Sequence, residues 1–144
     1  MSAADVLRDL INDYREAAGL NRLARAGVLD FIAGERAEQE SAEPDGMLDH
    51  EEARDAQVAS GYPEGAGEVL AGNYQTEREA LAGWQASPGH NAALLAPWGK
   101  EIGVGYADVE GAPIRPVWCA LIGIGLPRPL RRPWLPMVCR EVAE

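Results

Sequence analysis

A run of apolar residues in the last third of the chain restricts the fold more than any other feature. Six consecutive apolar residues occupy Val117–Ile122. Because neighbouring side chains of a strand point to opposite faces, this run predicts a strand, Ile114–Gly125, that is central in its sheet and covered on both faces. Lys100–Ala107 predicts a second strand, joined to the first by a hairpin across Asp108–Pro113. Gly65–Asn73 is a third, shorter predicted strand.

Helical periodicity and capping residues predict helices around these strands. Leu7 and Ile11 share the apolar face of a first helix, with Arg15 on the polar face opposite. Thr76, with Glu79 three residues later, has the form of a capping box. The predicted helices are Ala3–Ala18, a second that Asn21 caps and that fades in the acidic run Glu35–Glu43, a third over Leu48–Ser60, a fourth that begins at Thr76, and a short turn over Asn91–Leu95.

Length and charge restrict the class of protein. The 144 residues indicate one domain, residues 1–126, followed by a tail at 127–144. The net charge of −10 argues against nucleic acid or an anionic membrane surface as the main partner, because both select for basic patches. No stretch approaches the ~20 apolar residues of a membrane span. Residues 1–10 lack the basic and apolar regions of a signal peptide, which predicts a cytoplasmic protein unless a leader has been removed.

The tail differs in composition from the rest of the chain. It contains four prolines, at positions 127, 129, 133 and 136, and these alternate with arginines at positions 128, 131 and 132. Such a segment cannot continue a helix or a central strand, so we expect it to pack on the domain in an extended form through Trp134 and Leu135. Cys119 and Cys139 are expected to be reduced thiols, although an oxidising compartment would allow a disulfide between them.

One histidine and two glutamates, Glu68, His90 and Glu101, are the candidates for a polar site. Along its predicted strand, Glu101 shares a face with Gly103 and Gly105. Because glycine has no side chain, this face predicts an open concavity beside the Glu101 carboxylate. Filling it with Gly103→Val is expected to leave the fold stable.

A series of short motifs runs in a fixed order from the first helix to the last strands. They are Leu10-Ile11-Asn12 with Arg15 and Gly19-Leu20, Ala59-Ser60-Gly61-Tyr62, Gly67-Glu68, Gly83-Trp84, Ser87-Pro88-Gly89-His90, Leu94-Leu95 and Glu101-Ile102-Gly103-Val104-Gly105. Over residues 6–125 the chain resembles the CAP superfamily, or SCP domain, of cysteine-rich secretory, antigen 5 and pathogenesis-related 1 proteins, in its small bacterial form. The resemblance implies an α+β fold, a three-layer α-β-α sandwich with a small antiparallel sheet between helical layers.

The resemblance also implies a cleft that holds two histidines and two glutamates. Glu68, His90 and Glu101 match three of these residues, whereas residues 40–42 read Glu-Ser-Ala where the family has its other histidine. Relatives that bind divalent metal do so through the histidine pair, so the resemblance predicts a degenerate cleft with no cofactor and with His90 as a weak candidate metal ligand. The predicted cleft residues are Glu68, His90, Glu101, Ser41 and Gly103.

Two functions from different classes fit this pattern. The first is a non-catalytic binding or interaction module, whose ligand is an unknown small molecule or protein. The second is a weak hydrolase that uses Glu68, His90 and Glu101 as acid–base groups. A third possibility gives the same residues a purely structural role, in a hydrogen-bonded network between sheet and helices. No serine or cysteine stands in a recognisable nucleophile motif, which favours the first function over the second.

Overall fold

The computed structural model describes residues 1–44 and 67–125. Its helices are α1 (Ala3–Ala17), α2 (Gly27–Ser41), α3 (Glu77–Gln85) and α4 (Pro88–Leu94), and its strands are β1 (Ala24–Arg25), β2 (Gly67–Gly72), β3 (Glu101–Ala107) and β4 (Val117–Gly123). The predicted helix Leu48–Ser60 and the tail at 127–144 lie outside the described residues.

The apolar strand β4 lies inside the sheet, between β3 and β2. All seven of its residues are buried, which confirms the prediction of a central strand covered on both faces. Both neighbours run antiparallel to β4, so the hairpin and the third strand are also confirmed. The sheet is nevertheless mixed rather than antiparallel, because the unpredicted strand β1 pairs in parallel with β3. Two residues are too few to show an alternating pattern in the sequence.

Alternate residues of β4 contribute to two separate apolar clusters, one on each face of the sheet. On one face Trp118, Ala120 and Ile122 pack with α1 and α3 residues that include Leu7, Ile11 and Trp84. On the other face Val117, Cys119 and Leu121 pack with α2 residues that include Leu29, Ala33 and Ala37. The molecule is therefore an α+β sandwich with helices on both sides of the sheet, as predicted.

The helices α3 and α4 show how local capping sets their boundaries. The Thr76 hydroxyl accepts a hydrogen bond from the Glu79 N–H at 3.1 Å, which confirms the predicted start of α3. Pro88 stands in the first turn of α4, where its missing N–H costs nothing. This places the start of α4 three residues before Asn91, where the sequence predicts the start of a short turn.

Arg15 is the main departure from the predicted pattern in α1. The sequence places it on the polar face, but its side chain is fully buried. Its guanidinium donates to the carbonyl oxygens of Leu94 and Ala96, each at 2.9 Å, and to the backbone and side chain of Asn21. Burial lowers the pKa of Arg15, since these acceptors carry no full charge. Arg15 thus ties α1 to the end of α4.

Helix α2 begins later than predicted, but it ends at Ser41, within the acidic run where the sequence predicts its end. It starts at Gly27 rather than after Asn21, whose side-chain amide instead donates to the backbone just before β3. The residues between them contain β1. Two charged residues of this run, Arg36 and Glu40, face the sheet and are buried.

The backbone of α2 lies directly on β3 at two glycines. A Cβ at Gly103 would overlap the backbone of Leu29, and a Cβ at Gly105 would overlap the backbone of Ala33. The predicted open concavity beside Glu101 is therefore wrong, because the helix occupies this side of the strand. The glycines bring helix and strand close together instead of leaving space between them.

Gly103→Ala is accordingly expected to destabilise the protein by on the order of 3 kcal/mol, because α2 would have to move away from β3. Gly34→Ala is a matched control in α2, where a Cβ meets nothing within 4 Å. We expect Gly34→Ala to stabilise the protein by about 0.5–1 kcal/mol, because alanine loses less backbone entropy on folding. Urea unfolding compares the three proteins. If Gly103→Ala were as stable as the wild-type protein, the close contact between α2 and β3 would be contradicted.

Candidate functional site

Glu68 and Glu101 both project to the sheet face that α2 covers. Glu68 lies opposite Leu121 and Glu101 opposite Gly123, and directly opposed residues of antiparallel strands share a face. Leu121 packs in the cluster formed with α2, which identifies that face. The structure therefore brings the two predicted glutamates to the same layer of the sandwich.

Glu68 is bound by Arg36 of α2, a residue that the sequence analysis did not identify. Arg36 Nε donates to Glu68 Oε2 at 2.9 Å, and Nη2 donates to Glu68 Oε1 at 3.2 Å. The two side chains are 2% and 4% exposed. Parallel hydrogen bonds of this kind form the strong, bidentate type of guanidinium–carboxylate pair. Each carboxylate oxygen of Glu68 therefore accepts a hydrogen bond from Arg36.

Two more groups on α2 contact the same guanidinium. Glu40 Oε1 lies 3.6 Å from Arg36 Nη2, and Gln39 Oε1 accepts a hydrogen bond from Nη1 at 3.3 Å. Burial acts to lower the pKa of Arg36, but the hydrogen bonds that Arg36 donates to Glu68 and the charges of Glu68 and Glu40 outweigh it and raise that pKa overall. The group in the middle of the cluster is thus a permanent cation.

Cys119 of β4 lies beside this ion pair as a free, fully buried thiol. Its Sγ is 3.8 Å from Glu68 Oε2, which accepts from the thiol. Burial, and then the negative charge of Glu68, raise the pKa of Cys119 well above its usual range. The protonated, inaccessible thiol is a poor nucleophile. Cys139, the other predicted thiol, lies outside the described residues.

The remaining candidate residues lie near the ends of elements. Ser41 is the last residue of α2; it is buried, and its hydroxyl donates to the Glu38 carbonyl oxygen at 2.7 Å. His90 is half-buried in the first turn of α4. Glu101, the first residue of β3, is 3% exposed. That His90 and Glu101 form one cleft with Glu68 stays a prediction.

The described residues do not fit the divalent metal that the resemblance implies for some relatives. Within residues 1–44 and 67–125, no three His, Cys, Asp or Glu side chains are grouped so that they could hold a metal ion. Glu68, moreover, is already paired with a guanidinium, whose positive charge would repel a second cation at the same carboxylate.

The position of Arg36 follows from a signal that was present in the sequence. Leu29, Ala33, Arg36, Ala37 and Glu40 recur at the three- and four-residue steps of one helical face. Small apolar residues define this face as the buried one. Opposite charges four residues apart on such a face, rather than on the solvent face, indicate a buried ion-pair cluster.

Comparison with known sequences supports the fold at the level of a family. Residues 8–116 match the sequence model described as the cysteine-rich secretory protein family, CAP. The chain belongs to the CAP family. The resemblance predicted from the ordered motifs is thus confirmed. No curated protein sequence matches the chain.

Solved structures share this CAP fold at low sequence identity. A cysteine-rich secretory protein from Staphylococcus aureus aligns with a TM-score of 0.72 at 16% identity, over 85% of this chain and 38% of its own. An extracellular protein containing an SCP domain, from Bacillus anthracis, aligns with a TM-score of 0.70 at 21% identity, over 85% of this chain and 40% of its own. An outer surface protein from Borrelia burgdorferi aligns with a TM-score of 0.66 at 20% identity, over 84% of this chain and 91% of its own. The CAP chain therefore spans about two fifths of the length of the first two proteins, 38% and 40%.

Arg36→Met should destabilise the CAP domain by about 3–5 kcal/mol, because the Glu68 carboxylate stays buried without the guanidinium. Arg36→Met combined with Glu68→Leu should recover much of this loss. The control is Arg115→Met at the exposed pair with Asp108, whose side chains are 44% and 40% exposed. We expect this control to cost less than about 1 kcal/mol. Chemical denaturation measures the free energy of unfolding of each variant. If the effects of Arg36→Met and Glu68→Leu on this free energy were additive, the coupling of Arg36 with Glu68 would be contradicted.

We predict that Glu68, His90 and Glu101 do not form a tight zinc site. Carboxylates with a single imidazole bind zinc less well than paired imidazoles do, and Glu68 is already paired with Arg36. Calorimetric titration with zinc at neutral pH is expected to show no sub-micromolar binding. Such binding, if it were lost in His90→Ala, would refute this expectation.

Proposed function

We propose that this CAP domain is a non-catalytic binding or interaction module, whose ligand is a small molecule or a protein. The observation that carries the proposal is the buried pair of Arg36 and Glu68, in which each carboxylate oxygen accepts a hydrogen bond from the guanidinium. A general base must come within hydrogen-bond reach of a proton on the substrate, and the Glu68 side chain is only 4% exposed. Glu68 instead neutralises a cation inside the domain.

The environments of Ser41 and Cys119 support the same proposal. A hydroxyl or thiol nucleophile needs access to substrate and a neighbouring base that takes its proton. The Ser41 hydroxyl is buried and donates to its own helix, and the Cys119 thiol is buried with a raised pKa. Neither group has the setting that acyl transfer requires.

The charge of the chain bears on the class of partner. With a net charge of −10, the protein is repelled by nucleic acid, so we propose a small molecule or a protein as the ligand. Among the described helices, none has the length and apolar character that crossing a bilayer requires.

A hydrolysis panel tests the proposal directly. The CAP domain should hydrolyse ester, peptide and phosphate reporter substrates no faster than its Glu68→Gln and His90→Ala variants do. Turnover that both substitutions abolish would overturn the proposal in favour of a weak hydrolase that uses Glu68, His90 and Glu101. Arg115→Met, at an exposed ion pair, controls for the effect of substitution as such.

A second measurement addresses binding on the same samples. A compound that raises the melting temperature of the CAP domain in a thermal-shift screen should be recovered chemically unchanged after long incubation, as judged by mass spectrometry. Conversion of the compound by wild-type protein, and not by His90→Ala, would again favour the hydrolase.

A further inference from the structure

The domain buries two arginines whose guanidinium groups are held in different ways. Arg15 is 0% exposed and Arg36 is 1% exposed. Arg15 donates to two backbone carbonyls and to Asn21, all of them neutral acceptors. Arg36 donates to the Glu68 carboxylate and lies 3.6 Å from a second carboxylate, Glu40. Arg36 therefore occupies a site of negative charge, whereas Arg15 does not.

The acceptors around Arg36 have the shape of a receptor for a planar cation. Nε and Nη2 meet the two oxygens of Glu68 at 2.9 and 3.2 Å, and Nη1 meets Gln39 Oε1 at 3.3 Å. A guanidinium presents its donors in a rigid fork that matches this arrangement, whereas an ammonium acts as a point charge. A metal ion such as Zn²⁺ needs ligand atoms at about 2.0–2.3 Å around a single centre.

We propose that Glu68, Glu40 and Gln39 form a guanidinium-binding site that Arg36 occupies from within the chain, and that this site selects planar guanidinium ions over metal ions. Arg36 is thus the resident cation of the site, in place of an ion taken from solution. The inference goes beyond the proposed function, because it concerns what these acceptors bind whether or not the domain receives a ligand in the predicted cleft.

Chemical rescue tests the site. Arg36→Ala removes the resident cation, and we expect a lower melting temperature that methylguanidinium at millimolar concentration raises again in a saturable manner. Methylammonium and Zn²⁺ at the same concentrations should give much smaller increases. Wild-type protein, measured with each additive, provides the correction for non-specific effects of the ions.

Two matched variants connect the rescue to the carboxylates. The rescue should disappear in Arg36→Ala/Glu68→Gln, which lacks the charged half of the fork. It should be weak in Arg15→Ala, since the acceptors of Arg15 are neutral. Equal rescue of Arg15→Ala would show that the carboxylates are not needed and would overturn the proposal.

The preference of the site for guanidinium over metal ions is tested by comparing the two rescues. Rescue of Arg36→Ala by Zn²⁺ that equals or exceeds the rescue by methylguanidinium would mean a general cation site, and would also overturn the proposal. If Arg36→Ala does not fold alone, the measured quantity is the yield of folded protein, by circular dichroism, on refolding into methylguanidinium. No gain over methylammonium in that yield would refute the site. All these readouts measure stability, so they fail or succeed independently of the hydrolysis panel.

Discussion

The close contact between the backbone of α2 and the glycines of β3 determines where the groups on that side of the sheet can lie. Gly103 and Gly105 are two strand residues apart, and Leu29 and Ala33 are four helical residues apart. The two steps span almost the same length, about 6.6 Å along a strand and about 6 Å along a helix. The helix can therefore follow the strand at minimum distance, and the Val104 N–H donates to Asp30 Oδ1 across the contact at 3.0 Å.

This contact has an electrostatic consequence one helical turn further on. Because α2 lies so close to the sheet, the side chain of Arg36 cannot reach solvent and is enclosed between helix and strands. A buried cation is unfavourable unless opposite charge accompanies it. Glu68 on β2 and Glu40 on α2 supply that charge. The carboxylate that resembles a family cleft residue is thus engaged in holding two layers of the sandwich together.

Sequence patterns predicted the sheet better than they predicted the contacts on it. The apolar run of β4 and the capping residue Thr76 gave correct elements, because both signals are local. The sequence patterns placed Arg15 on the polar face and did not identify Arg36, because each arginine finds its acceptors in a distant segment. These failures share a cause: periodicity shows which residues share a face, and tertiary packing decides what covers that face.

The site illustrates the same limit. The alternation of Glu101 with glycines correctly identified a face without side chains, but the sequence could not show whether that face met solvent or a helix backbone. The ordered motifs carried the family assignment, since Gly67-Glu68 and the residues around His90 lie within the matched range 8–116. They could not show that Glu68 is paired with Arg36, because that pair joins residues 32 positions apart.

The burial of Cys119 provides an intrinsic reporter of how the layers separate. Its sulfur lies between the sheet and α2, so a thiol reagent meets it when that helix lifts from β4 or when the whole domain unfolds. Under conditions in which reclosing outpaces labelling, the rate of modification measures the free energy of that opening. A comparison of this free energy with the global value from denaturant would distinguish independent opening of the α2 layer from cooperative unfolding of the sandwich.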